Sequence, residues 1–250
     1  MRRAQAKFLS GHELFPIVSP PRRSAVVFDL DGTLVDSSPD IASAMNEILA
    51  EAGRRPLSLS EIQGMVGDGT TALVFRAFAA ADGGTEPSKK DIERQVERFR
   101  AAYEARATLE TRPYPGVVET VRALDAAGYR MALCTNKPDR PAQAILEAFG
   151  LSPFIRAGVG GESAPARKPD ARHLEAALAL LGATAREGVM VGDGVNDVLA
   201  ARALSVPVVL VSFGFSKSAA GLAGDAVIDR FCDLHEVLLR LDGAAENGVL

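Results

Sequence analysis

The sequence predicts an α/β protein: a Rossmann-like, doubly wound parallel sheet that carries an inserted α-helical domain. Three observations predict it. Short apolar runs such as Val26-Val27-Phe28 and Val189-Met190-Val191 end abruptly at small or acidic residues, as strands buried on both faces do. From Pro115 onward such runs alternate with segments of helical period. Between the first strand and the next, residues 36–113 are predominantly helical. That interval is several times the roughly dozen residues that a crossover between parallel strands needs.

Taken in order, 25–28 is the first strand. Residues 39–52 read as a helix, with Ser38 as N-cap and Pro39 in the first turn, and Ile41, Ala44, Met45, Ile48 and Leu49 share one face. A short helix is expected over 60–65. Val66-Gly67-Asp68-Gly69-Thr70 is a glycine-flanked turn before an apolar helix over 71–81. Residues 88–107 form a long amphipathic helix with Ile92, Val96, Phe99 and Tyr103 at helical spacing and its basic residues on a solvated face. Helices then follow over 117–127, 140–149, 170–181, 196–204 and 234–241. Strands are expected over 130–134, 154–159, 188–191, 206–211 and 226–228. The resulting organisation is a poorly ordered extension (1–24), a core (25–36 and 114–241), a helical insert (37–113) and a tail (242–250).

Composition narrows the function. The chain has 250 residues and is 47% hydrophobic, enough for a core domain plus an insert. Its 28 basic and 32 acidic residues give a net charge of −4, which offers no general polyanion surface, so nucleic acid is not an expected partner. No apolar run approaches membrane-spanning length, so no membrane association is expected. Cys134 and Cys232 make no disulfide framework; they suggest a reducing compartment, and a cytoplasmic protein is expected. Packing is the expected role of Cys134, at a strand end. Three scattered histidines give no zinc constellation. Monomer and homodimer both stay open.

The chemistry concentrates where the first strand ends. Asp29 and Asp31 stand two positions apart, and the turn at Gly32 can re-aim the second carboxylate. Like charges this close repel unless a cation joins them, and a hard divalent ion such as Mg²⁺ suits oxygen ligands. Val191-Gly192-Asp193-Gly194-Val195-Asn196-Asp197 repeats the theme: an apolar strand ends in Gly-Asp and a second acid follows at a helix start. Thr135-Asn136-Lys137-Pro138 and Arg167-Lys168-Pro169 follow two further strands. All these stretches fall at the carboxyl ends of strands, where open α/β sheets bind ligands.

Asp29-Leu30-Asp31-Gly32-Thr33-Leu34-Val35-Asp36-Ser37 resembles the first motif of the haloacid dehalogenase superfamily, and the other three stretches resemble its later motifs in order. The resemblance implies Asp29 as nucleophile, Asp31 as general acid/base, Thr135 as phosphate ligand and Lys168 as neutralising cation. Asp29, Asp31 and Asp193 would hold Mg²⁺, with Asp197 behind them near the metal or Lys168. The insert resembles the family's helical cap. Within the superfamily the stretches 66–69, 114–117 and 135–138 look most like phosphoglycolate phosphatases. That places Gly32, Asn136, Lys137, Gly67, Asp68 and Gly69 near a small phosphorylated metabolite, 2-phosphoglycolate first. Gly194, Asp170-Ala171 and Ser205 depart from that subfamily's usual pattern. The alternatives are a β-phosphoglucomutase-like mutase, a sugar phosphatase and a pyrophosphatase. The intact set Asp29, Asp31, Thr135, Lys168 and Asp193 argues against a non-enzymatic binding protein.

Overall fold

The computed structural model describes residues 22–84, 88–216 and 221–246. The expectations for the extension before residue 22 and for the last residues of the tail lie outside them. Ala25–Phe28 (β1) is buried on both faces and lies inside a six-stranded sheet. Arg130–Cys134 (β4) and Gly188–Gly192 (β6) flank it, both parallel to it. Ile155–Val159 (β5) extends the sheet beyond β4, while Val208–Val211 (β7) and Ala226–Ile228 (β8) extend it beyond β6, again in parallel. The order β5-β4-β1-β6-β7-β8 makes this a doubly wound sheet whose chain reverses direction about β1.

Because strand side chains alternate, β1 feeds two cores. Val26 and Phe28 pack on one face with Val117–Ala126 (α5), Asp139–Ala148 (α6) and Leu234–Glu246 (α9). Ala25 and Val27 pack on the other with Ala171–Leu180 (α7) and Val195–Ala203 (α8). Cys134 sits in this second core, where burial pushes its thiol up to about 12, so it serves packing.

Residues 38–104 form Ser38–Glu51 (α1), Leu59–Gln63 (α2), Thr70–Ala81 (α3) and Lys89–Glu104 (α4). These helices share a third core built on Ile41, Met45, Ile48, Leu73, Phe78, Val96 and Phe99. Ser58 and Ser88 start α2 and α4 with side-chain caps to the backbone N–H groups of Glu61 and Asp91. The chain enters through Val35–Asp36 (β2) and leaves through Arg112–Pro113 (β3), paired antiparallel as Val35 with Pro113 and Asp36 with Arg112. Beside them the buried Asp40 carboxylate accepts from the N–H groups of Glu110 and Thr111 and from the Thr111 hydroxyl.

The structure differs from the sequence expectation in several places. The N-cap of α1 is Ser37, not Ser38, and its hydroxyl donates to Asp31 instead of capping. Ser38 is the first helical residue and bonds Asp36. The two-residue ladder of β2 and β3 was not visible as a periodic pattern, because two residues carry none. Helix α9 runs on to Glu246, beyond 241. The last residues of the expected extension are packed: Arg22 and Arg23 N–H donate to Asp242, and Ser24 contacts Arg130.

Ser205 is a non-glycine residue with φ 54°. Its Cβ crowds the backbone in that left-handed region, at a cost of about 1 kcal/mol. Ser205→Gly is therefore expected to stabilise the fold by about 0.5–1 kcal/mol in urea unfolding. An unchanged midpoint would show that the turn carries no strain.

Candidate active site

Four strand ends converge on one point. Asp29 follows β1, Thr135 follows β4, Asp193 follows β6, and Lys168 comes from the loop between β5 and α7. Lys168 Nζ lies 3.0 Å from Asp29 Oδ1 and 2.7 Å from Asp197 Oδ1, with only 1% of its side chain exposed. Asp29 Oδ1 also accepts from the Leu30 N–H at 2.7 Å. Asp193 Oδ2 accepts from the N–H groups of Phe215 (2.7 Å) and Ser216 (3.2 Å). Asp197 Oδ2 accepts from the N–H groups of Asp193 and Gly194, so both of its oxygens are engaged. A Cβ at Gly192 would lie 2.3 Å from the Asp197 carboxylate, so only glycine lets that acid reach back to its own helix start.

Asp29, Asp193 and Asp197 each bring a carboxylate oxygen within 4.8 Å of the others. Burial pushes Asp29 up to about 6; Lys168 opposes this, and Asp197 and Asp31 add to it. Burial, then Asp197 and Asp29, push Asp193 up to about 7. Burial draws the Lys168 ammonium down, but Asp197 and Asp29 outweigh it and hold the group above the usual lysine range. Three acids thus face one lysine, and a negative charge is left over. Asp29 Oδ2 and Asp193 Oδ1 accept no hydrogen bond among the described residues. Three acids crowded into one electronegative, all-oxygen cluster fit a hard divalent cation such as Mg²⁺.

The raised pKa values carry a stability prediction. A carboxylate whose folded-state pKa lies above its unfolded value binds its proton more tightly in the folded chain. Metal-free stability from Asp193 is therefore present at about pH 4 and lost as pH rises through about 7. Asp193→Asn keeps an oxygen for Phe215 and removes the charge. Relative to wild type it is expected to raise metal-free stability at pH 8 by on the order of 3 kcal/mol, with little change at pH 4. Urea titrations at the two pH values measure this, and equal effects at both would contradict the uncompensated charge.

Above the carboxylates lies a cavity of about 390 Å³. Asp29, Asp31, Thr135, Asn136, Lys137, Lys168, Asp193 and Asp197 line its core side. Ile41, Val66, Leu73, Phe99 and Tyr103 give the insert's side an apolar surface, with Gly67, Gly69 and Thr70 at its edge. Asp31 is not part of the three-acid cluster. Its carboxylate accepts from the Ser37 hydroxyl and from Lys137 Nζ at 2.9 and 3.1 Å. Lys137 Nζ also lies 4.5 Å from the centre of the Tyr103 ring of α4.

Two residues expected beside a substrate lie outside the cavity lining, and a third lines it with its amide already bonded. Gly32 does not line the cavity: it has φ 82°, and a Cβ there would lie 2.6 Å from Asp193 Oδ2, so it serves close packing beneath that acid. Asp68 is also outside the lining; its carboxylate is held by Arg76 and by Asn196 Nδ2. The Asn136 side chain borders the cavity, but its amide is bonded to Gly67 and Lys168. Sequence reasoning missed Ser37, Tyr103, Asn196, the 213–216 loop and His173. Burial pushes His173 down to about 4, and its neutral ring accepts the Lys168 N–H at Nδ1 and pairs with the Val159 carbonyl at Nε2. Phe213-Gly214-Phe215 directly after an apolar strand was a usable signal: a Cβ at Gly214 would lie 2.4 Å from Asp193.

Known proteins resemble this chain. Residues 24–205 match the model of the haloacid dehalogenase-like hydrolases. A phosphoglycolate phosphatase of Caulobacter vibrioides is 44% identical over 87% of this chain and 92% of its own length. One from Rhodospirillum rubrum is 43% identical over 86% and 90%. The crystal structure of a protein described as a predicted phosphoglycolate phosphatase, from Haemophilus somnus 129PT, superposes with a TM-score of 0.81. It is 31% identical and covers 86% of this chain and 98% of that one. Among the described residues no helix is long and apolar enough to cross a membrane. The family match runs from the residue before β1 to the turn after α8, across the strand ends that carry Asp29, Thr135, Lys168 and Asp193, and the chain belongs to the haloacid dehalogenase-like hydrolase family.

Proposed function

We propose that this hydrolase is a Mg²⁺-dependent phosphatase of small monoesters, 2-phosphoglycolate foremost, and that it works through a phosphorylated Asp29. The observation that carries the reading is Asp29 itself. Lys168 and the Leu30 N–H fix its Oδ1, and its Oδ2 is left open at the floor of a roofed cavity. Such a carboxylate is positioned to attack, and Lys168 offsets its repulsion from the incoming phosphate.

In the first step Asp29 Oδ2 forms a bond to phosphorus while the ester P–O bond breaks, and Asp31 gives its proton to the departing alkoxide. In the second, Asp31 takes a proton from water, the water oxygen bonds to phosphorus, and the acyl phosphate P–O bond breaks. Asp29 is regenerated and inorganic phosphate leaves. The Thr135 hydroxyl and Lys168 hold the phosphoryl oxygens. Mg²⁺, held by Asp193 and by the Asp29 oxygen that does not attack phosphorus, would offset charge on the phosphate. The apolar roof from Ile41, Leu73 and Phe99 would limit the access of bulk water on that side of the site. Residues 37–113 are proposed as the cap that supplies it.

The substrate reading draws support from the named relatives and from Lys137. Lys168 and Lys137 are the cations among the described lining residues. When Asp31 carries the proton it will donate, Lys137 loses its anionic partner and can meet a carboxylate on the substrate. The test is Mg²⁺-dependent phosphate release from 2-phosphoglycolate, hexose phosphates and pyrophosphate. Preference for phosphoglycolate is expected, with Lys137→Met raising KM for it about tenfold or more and sparing esters that lack a carboxylate. Preference for another ester would discard the substrate and keep the mechanism; release from none would discard both.

A further inference from the structure

Asn136 stands where the core loop after β4 meets the turn that precedes α3 of the insert. Its planar amide makes three hydrogen bonds. Nδ2 donates to the Gly67 carbonyl at 2.8 Å and to the Lys168 carbonyl at 2.8 Å. Oδ1 accepts the Lys168 N–H at 2.9 Å. One buried group therefore grips the backbone of Lys168 on both its donor and its acceptor side, and grips the insert with the same nitrogen. A second amide, Asn196 on α8, donates to the same Gly67 carbonyl at 3.2 Å and to Asp68 Oδ1 at 2.6 Å. No hydrogen bond joins the Asn196 side chain to Lys168 among the described residues.

We infer that Asn136 is a positioning residue through which docking of the Gly67 turn sets the place of Lys168. This rests on the proposed role of Lys168 in phosphoryl transfer. With the turn docked, Nδ2 is pinned between two carbonyls and the amide plane is fixed, so Lys168 Nζ is held 3.0 Å from Asp29. With the turn undocked, Nδ2 loses one of its two acceptors and the amide keeps only its bonds to the Lys168 backbone, so nothing ties that backbone to the insert through Asn136. Beyond Asn136, the Lys168 N–H is restrained by His173 Nδ1, and its carbonyl has no other hydrogen-bond donor among the described residues. A displacement of about 1 Å at a reacting geometry costs about 10²-fold in rate. The insert would thus do more than cover the site: its arrival completes the alignment of a charge it never touches.

The test uses the full chain, with hydrogen exchange by mass spectrometry beside steady-state kinetics on the substrate it hydrolyses best. Asn196 is partly exposed, so Asn196→Ala leaves the fold intact and carries the test even if Asn136→Ala does not fold. Asn196→Ala is expected to speed exchange in the 66–70 segment and also in the segment containing Lys168, and to lower kcat about tenfold with a smaller change in KM. Asn136→Ala is expected to lower kcat about 10²-fold. Adding Asn196→Ala to it should change kcat less than twofold, because the link is already cut. Two outcomes overturn the inference: unchanged exchange at the Lys168 segment in Asn196→Ala, or kcat losses that multiply fully in the double variant. The exchange measurement needs no turnover, so coupled exchange in a chain that hydrolyses no phosphate ester would fault the functional reading and not the coupling.

Discussion

Asp29→Asn is expected to lower kcat by about 10⁴-fold or more while leaving the fold intact. The amide has no free electron pair comparable to that of Asp29 Oδ2, and a nucleophile of this kind has no understudy in the site. Asp31 is committed to Ser37 and Lys137, and Asp197 to Lys168 and two backbone N–H groups. The substitution also removes one of three acids crowded around a single lysine. Metal-free stability at pH 8 should therefore hold or rise, and the loss of rate cannot be blamed on unfolding. Acid-quenched mass spectrometry should find phosphate on the peptide containing Asp29 in wild type and none in the variant. Wild-type turnover by Asp29→Asn would end the covalent mechanism.

Lys168→Met should be costly in both rate and stability. Methionine replaces the aliphatic stem but not the ammonium that sits 2.7 Å from Asp197 and 3.0 Å from Asp29. Removing one partner of a buried ion pair strands the others and costs about 3–5 kcal/mol. The loss should be smaller near pH 5, where the carboxylates can take up protons, than at pH 8. On the rate, losing the fixed charge opposite the phosphate should cost about 10³-fold. Urea unfolding at both pH values and kcat at saturating Mg²⁺ measure the two effects. A variant as stable as wild type at pH 8 would show that Lys168 does not balance the acids. The opposite signs expected for Asp29→Asn and Lys168→Met at pH 8 also separate nucleophile from counter-ion, which rate alone does not.

The sheet and its strand ends were legible because their signal is local. Val26-Val27-Phe28 must be buried on both faces, and the acids that follow it at 29 and 31 must emerge at the sheet edge. The same holds for Val189-Met190-Val191 and Asp193. The partners of those acids were not legible, because they arrive from far along the chain. Lys137 reaches Asp31 across 106 positions, and Asn196 reaches Asp68 across 128. Neither pair leaves a trace in periodicity. Asp68 and Gly32 were expected near substrate on the strength of the family resemblance. A carboxylate flanked by glycines reads the same whether it faces a ligand or, as Asp68 does, an arginine one helical segment away. Ser37 shows the limit at its finest: a serine before Ser38-Pro39 reads as a plain helix start, and only the fold reveals that its hydroxyl is diverted to Asp31.

The ladder formed by Val35–Asp36 and Arg112–Pro113 has a consequence for how such chains are built and rebuilt. Because the outgoing and returning segments pair side by side, the points where the insert begins and ends are one strand spacing apart, about 5 Å. A two- to four-residue turn could bridge that gap, so the whole 37–111 module is topologically an ornament on a hairpin. It can be excised, lengthened or exchanged for another module without threading the chain anew or reordering a single strand of the sheet. The helices of the insert carry a hydrophobic core of their own. A swap at this ladder would replace the roof of the cavity and, with it, the Gly67 contact of Asn136 and the Tyr103 ring beside Lys137.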